Sequence, residues 1–247
     1  MENSIYLGLS RQLALFRNMN IIANNIANAN TSGYRAQNLL FEEFLADPRG
    51  DTVDRNADDE LSFVYNRAQY QNSQPGSLRY TGNALDAALA GPGFFGIQGP
   101  NNETLYTRGG KFQLDAEGTL RTSAGFAVSG QGGGTITVPP NSTEISIDDN
   151  GFVSNQDGQL GQISIVEFEN IQILEPTGNG LYRSPEEGVA AENTRVKQGQ
   201  VEGSNVEPVI EMTRMIETMR GYQSTQRLLE SENERLRGMI QSLTRQS

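Results

Sequence analysis

From Met212 to the end of the chain one set of positions recurs in alternating steps of three and four: Met212, Met215, Met219, Tyr222, Gln226, Leu229, Asn233, Leu236, Ile240 and Leu243. Such a heptad seam predicts one long helix that must lie against a partner. Ser204 and Asn205 are cap-type residues, Glu207 and Glu211 put negative charge at the first turns, and Pro208 is tolerated where N–H groups lack intrahelical acceptors. The helix is predicted over 206–244, roughly 55 to 60 Å at 1.5 Å per residue. Gly221 and Gly238 are its weak points. Gln226 and Asn233 are polar seam residues of the kind that fix register at a cost in stability.

The other end carries a second helical stripe, Ile5, Leu9, Phe16, Met19, Ala23 and Ile26, with Gln12 as a polar member. Leu13, Leu15 and Ile22 widen it, which predicts contact with more than one helix. Asn24, Asn25, Asn28 and Asn30 follow, then Gly33. Asparagine competes with helix and glycine stops it, so this is a helix end. Amides on a helix that keeps its apolar face can also donate and accept across a helix interface.

Gly and Pro gather between about 75 and 205. Between the two helices Leu61–Tyr65, Leu85–Leu89, Phe94–Ile97, Thr104–Thr107, Gly118–Arg121, Gly125–Val128, Gly134–Val138, Glu144–Ile147 and Gln162–Glu167 read as short strands between turn signals. The predicted class is α+β: terminal helices forming a coiled-coil domain, and a mostly β centre. The expected divisions are 1–45, an exposed connector 46–60, a β domain 61–200 and the heptad helix 201–247. A second connector is expected over 176–200.

Nineteen Lys and Arg against thirty Asp and Glu leave a net charge of −11 over 247 residues, which disfavours nucleic acid and anionic membrane as partners. His and Cys are absent, which removes Ser-His-Asp and Cys-His triads, thiolate nucleophiles and the usual zinc ligands. The start has no basic segment followed by a compact apolar core, so no cleaved secretion signal is expected, and no run is long enough to span a membrane.

Ser129–Gly134 lacks the order of a phosphate loop and reads as a hairpin. Asp148-Asp-Asn-Gly151 opens like a calcium loop, yet Gln159 stands where the bidentate Glu belongs, so a β-turn is expected. Glu42-Glu43, Asp58-Asp59-Glu60 and Glu186-Glu187 are adjacent charges typical of solvated faces. Asn141-Ser142-Thr143 fits a glycosylation sequon too short to carry weight. No metal, cofactor or catalytic residue is expected. The rival reading is an acid/base hydrolase on the β scaffold, with carboxylates far apart in sequence.

Three segments together resemble one family, the rod and hook axial proteins of the bacterial flagellum. Asn24 to Arg35 resembles its N-terminal signature. Thr81-Gly82-Asn83-Ala84-Leu85-Asp86 through Gly91-Pro92-Gly93-Phe94-Phe95, with Tyr106-Thr107-Arg108-Gly109-Gly110-Lys111-Phe112, resembles its central motif. Gly199 through Glu202-Gly203-Ser204-Asn205-Val206 to Glu211-Met212, Met215-Ile216 and Arg220-Gly221-Tyr222 resembles its C-terminal signature. Pro92 inside Gly91–Gly93, and Glu207 where Asn or Asp is commoner, are departures. The opening Asn3-Ser4-Ile5-Tyr6 and the total length resemble the proximal rod section more than the distal rod or the longer hook.

The resemblance implies a structural subunit that assembles with copies of itself and other rod subunits into a hollow, torque-transmitting shaft. It implies export through the flagellar apparatus without a cleaved signal, and a periplasmic rod location. The residues it marks for subunit packing are Ile5, Leu9, Phe16, Met19, Ile26, Asn24, Asn25, Asn28, Asn30 and Asn205 with the seam from Met212 to Leu243.

Overall fold

The computed structural model describes residues 2–46, 61–100 and 103–244; the predicted connector thus falls, but for residue 46, outside the described residues. Helix α1 runs Glu2–Ala27, followed by strands β1 (Gln37–Ala46), β2 (Leu61–Gln71), β3 (Leu78–Tyr80), β4 (Ala87–Ala90), β5 (Phe94–Gln98) and β6 (Thr104–Thr107). Next come β7 (Phe112–Leu114), β8 (Leu120–Thr122), β9 (Ala127–Val128), β10 (Ser146–Ile147), β11 (Phe152–Asn155) and β12 (Gly158–Gln162). The chain continues through β13 (Ile165–Glu167), β14 (Glu175–Gly178), β15 (Leu181–Arg183), β16 (Val189–Ala190), β17 (Arg195–Gln198) and β18 (Gln200–Glu202) to helix α2 (Pro208–Thr244). The α+β class holds.

Two compact units divide these elements. One combines 1–27, 37–70 and 207–247; the other combines 28–36 and 71–206. The division departs from the sequence boundaries: 28–36 belongs to the β unit, and β1 with most of β2 to the helical one.

In the β unit, β5 is the hub. It pairs antiparallel with β6, β9 and β13, and the sheet continues through β15 to β14 on one side and through β8 to β7 on the other. Residues of these strands fill the core: Phe95, Ile97, Leu105, Phe112, Leu120 and Val128 are buried together with Ile163 and with Val196 of β17. A second cluster stacks Phe94, Tyr106, Phe168 and Tyr182 edge to face, with ring centroids 4.8 to 6.0 Å apart. Burial pushes the Tyr106 and Tyr182 hydroxyls above the usual tyrosine value.

Residues 176–200 correct the second-connector expectation. They hold four strands, and β17 pairs with β4 along its full length. The expectation failed because the strands are only two to four residues long and are interrupted by turn-type residues such as Gly180, Pro185, Gly188 and Gly199, so no alternation shows. Gly134–Val138 contributes only isolated bridges, Ser129 to Thr135 and Thr119 to Thr137, where a strand was expected. Ser129–Gly134 is a tight reversal, with Gly130 N–H donating to Gly134 O at 2.7 Å. Asp148 closes its β-turn, its Oδ1 accepting from Asn150 and Phe152 N–H at 2.9 and 2.8 Å.

In the helical unit, α1 and α2 run antiparallel. Gly8 lies under Leu229, Leu15 beside Gly221, and Asn18 Nδ2 donates to Thr218 Oγ1 at 3.4 Å. The covered stripe of α2 is Glu211, Met215, Thr218, Tyr222, Thr225, Leu229, Glu232, Leu236 and Met239. It shares Met215, Tyr222, Leu229 and Leu236 with the predicted seam and takes the preceding residue in place of Met212, Met219, Gln226 and Asn233. On α1 the covered positions are Gly8, Ala14, Ile21, Ile22 and Asn25. The closest approaches are made by small and polar residues, Gly8, Asn18, Thr218 and Gly221, with Leu15 and Leu229 packed over the glycines, while Leu9, Phe16, Met212 and Met219 of the sequence pattern stay exposed.

Candidate functional site

The three sequence motifs meet in the β unit around one carboxylate. Glu202, 1 % exposed, accepts at Oε2 from Arg108 Nε at 2.8 Å and pairs with Arg108 Nη2 at 2.6 Å. Its Oε1 lies 3.6 Å from Arg35 Nη2 and accepts from Gly76 N–H at 3.0 Å. Arg108 is fully buried; its remaining N–H groups donate to the carbonyls of Gly91 (2.9 Å), Gly93 and Leu89 (3.2 Å), and its guanidinium lies 5.7 Å from the Phe94 ring centre. Burial lowers the Arg108 pKa below its ordinary value, and the Glu202 carboxylate opposes the fall. A buried charge left without its counter-ion is costly, so each member requires the others.

The flanking motif residues tighten the same junction. Gly33, at φ +70°, brings its N–H to Glu202 O at 2.9 Å, and any Cβ there would collide with the Arg108 backbone. Asn205 accepts at Oδ1 from Ala36 N–H at 2.7 Å and donates to the carbonyls of Asn72 (3.2 Å) and Gln74 (2.8 Å). Thr81 and Asn83 both donate to the buried Asp86 carboxylate, at 2.7 and 3.1 Å, and Asp86 O accepts from Gly199 N–H at 2.8 Å. Asn205 is therefore bonded inside the chain rather than spent on capping α2, which begins at Pro208 as its first helical residue.

In the helical unit Asn25, 1 % exposed, is the polar pin. Its Nδ2 donates to Gln37 O at 2.9 Å and to Glu211 Oε2 at 3.2 Å, and its Oδ1 accepts from Gln37 N–H at 3.0 Å. Glu211 also pairs with Arg214 at 2.6 Å. An asparagine does bond across a helix interface, and the two helices belong to the same chain.

Among the other packing candidates, Leu9, Phe16, Asn24, Asn30, Met212, Met219, Gln226 and Asn233 lie exposed. Ile5, Met19, Ile26, Asn28, Met215, Tyr222, Leu229 and Leu236 are half-buried; the side chains of Ile240 and Leu243 lie outside the described residues. Two exposed apolar stripes stand out, each stepping by three, four and three: Tyr6, Leu9, Leu13 and Phe16 on α1, and Val209, Met212, Ile216 and Met219 on α2. Because the helices are antiparallel, the stripes sit at opposite ends of the pair.

Sequence reading found the Arg35, Arg108 and Glu202 segments but gave these residues no role. Three separated motifs, two holding an arginine and one a glutamate in a chain otherwise fitted for exposed charge, were the available signal.

Comparison with known proteins follows the same three segments. Residues 5–35 match the family model "Flagella basal body rod protein", residues 88–155 "Flagellar hook protein FlgE/F/G D1 domain", and residues 197–242 "Flagellar basal body rod FlgEFG protein C-terminal". The flagellar basal-body rod protein FlgF of Caulobacter vibrioides is 36% identical over 98% of both chains. The chain belongs to the flagellar basal-body rod protein family. The FlgF of Mesorhizobium japonicum is 34% identical over 93% of this chain and 92% of its own, and the FlgG of Bacillus subtilis 32% identical over 97% and 98%. Within the rod family the FlgF reading is the better supported. Each matched segment of this rod protein contributes one member of the Arg35–Glu202–Arg108 triad.

Proposed function

We propose that this chain is a structural section of the proximal rod, assembling with copies of itself and with other rod subunits through α1 and α2. The carrying observation is the pair of staggered stripes. Each spans eleven residues, ten steps or about 15 Å of helix, and both expose large apolar side chains after the intrachain contact has been made. The stripes differ in chemistry, aromatic and leucine on α1 against methionine and isoleucine on α2. Laying one copy's α1 stripe on the next copy's α2 stripe is therefore a heterologous contact, and its stagger favours an open, axial series over a closed dimer. Met212 and Met219 supply adaptable packing for related neighbours.

The role is mechanical rather than catalytic, consistent with relatives that are rod proteins. Export through the flagellar apparatus and a periplasmic rod location belong to the same proposal. No described helix is long and apolar enough to cross a membrane.

The test is complementation of a strain lacking the protein, which is expected to form no distal rod. The wild-type gene restores rods and swimming. Phe16→Asp and Met212→Asp do not, although the purified variants keep the wild-type circular dichroism, because a carboxylate is harmless on an exposed stripe and costs several kcal/mol once covered. Normal rods and swimming with both variants would overturn the proposal.

A further inference from the structure

The Glu202 junction has an order built into it. Arg108 lies 94 residues before Glu202 in the chain, and Arg35 lies further still towards the N-terminus. Three pairs of the sheet around β5, by contrast, join strands close in sequence, β5 with β6, β7 with β8 and β8 with β9, while β13 and β15 are added from further along the chain. Local antiparallel pairs form at small entropic cost, whereas contacts across long loops come later. The segment 195–206 is laid in by long-range contacts alone: β17 on β4, β18 on β3, Gly203 N–H to Ser77 O, and the Asn205 bonds to residues 36, 72 and 74. Glu202 lies in the middle of it. Until this segment docks, Arg108 and Arg35 have no carboxylate to accept their charge, and the site that buries Arg108 cannot close without a large penalty. Arg35 Nε, buried without a hydrogen-bond partner among the described residues, depends further on that one anion.

We propose that Glu202 is the closing latch of the β unit. The local sheet forms first, the arginine site stays open, and docking of 195–206 with its carboxylate commits the unit to the folded state. A chain made or delivered from its N-terminus keeps this unit unlocked until almost all of it is present, because residue 202 follows every other element of the unit.

The test uses the full chain, refolded from denaturant and pulse-labelled by hydrogen exchange with mass-spectrometric readout, alongside unfolding rates. In wild type, β5 and β6 gain protection before β17 and β18. In Glu202→Gln the early phase is unchanged, while unfolding accelerates by about 100-fold or more. Failure of Glu202→Gln to protect 195–206 at all, with β5 and β6 still protected, is the same result in stronger form. Arg35→Gln, which removes the longer arm, accelerates unfolding less and in the same sense. The latch is overturned if Glu202→Gln slows the early phase, if its unfolding rate equals wild type, or if all four strands gain protection together.

Discussion

Arg108 and Asp115 use the same ion-pair chemistry to opposite ends because their surroundings differ. Arg108 is sealed among Leu89, Gly91 and Gly93, so it depends wholly on Glu202, and deletion of either partner is expected to be far worse than replacement of the group by apolar residues. Asp115 is a surface brace of the β7–β8 hairpin: its Oδ1 accepts from Thr119 and Glu117 N–H at 2.7 and 3.1 Å, and its Oδ2 holds Arg121. That Arg121 hydrogen bond holds the Asp115 carboxyl below its ordinary value of 3.8. A depressed carboxylate contributes stability above its unfolded value, and the contribution is lost as pH falls through the folded one. Asp115→Asn keeps the Oδ1 acceptor but puts an NH2 where Oδ2 accepts from Arg121, so it should lower the melting temperature modestly at pH 7 and less at a pH below the folded carboxyl's own value. An equal deficit at both pH values would show that the ionised carboxylate contributes nothing.

Both helices were legible to within two or three residues because long periodic segments with strong end signals leave few alternatives. Their contacting faces were less legible. Periodicity weighs Leu9, Phe16, Met212 and Met219 by hydrophobicity, but two helices approach most closely where side chains are small, and Gly8, Ala14, Thr218 and Gly221 carry little hydrophobic signal. The strands β14 to β18 were hidden for a related reason: each has two to four residues, too few for an alternation to show. A Cβ at Gly8 would lie 2.7 Å from Leu229 Cδ2, whereas one at Gly238 would meet nothing within 4 Å. Gly8→Val should therefore destabilise the helix pair by about 1–3 kcal/mol through overpacking, with part of the loss recovered by Leu229→Ala. Gly238→Ala should stabilise by about 0.5–1 kcal/mol through backbone entropy alone. Denaturant midpoints would measure both, and a neutral Gly8→Val would place the close approach elsewhere.

The chain passes between its two units four times, after residues 27, 36, 70 and 206, so neither unit is a continuous stretch of sequence. Their means of stability differ. The β unit fills its interior with its own side chains and closes on a buried ion triad. The helical unit leaves Tyr6, Leu9, Phe16, Val209 and Met212 in water and holds its two helices together through small residues and the Asn25 pin. Helices whose stability comes from packing are only marginal when part of that packing is missing. In unassembled protein, limited proteolysis should therefore cut first within 1–27 and 207–247 and leave residues 71–206 resistant, with 28–36 retained noncovalently through Gly33, Arg35 and Ala36 even after the connection to 71 is severed. Assembly should extend protection to both helices, since it covers the apolar stripes that the free chain exposes. Equal resistance of helices and β unit in dilute monomer would mean that the intrachain pair is already self-sufficient, and the stripes would then lose their claim to be assembly surfaces.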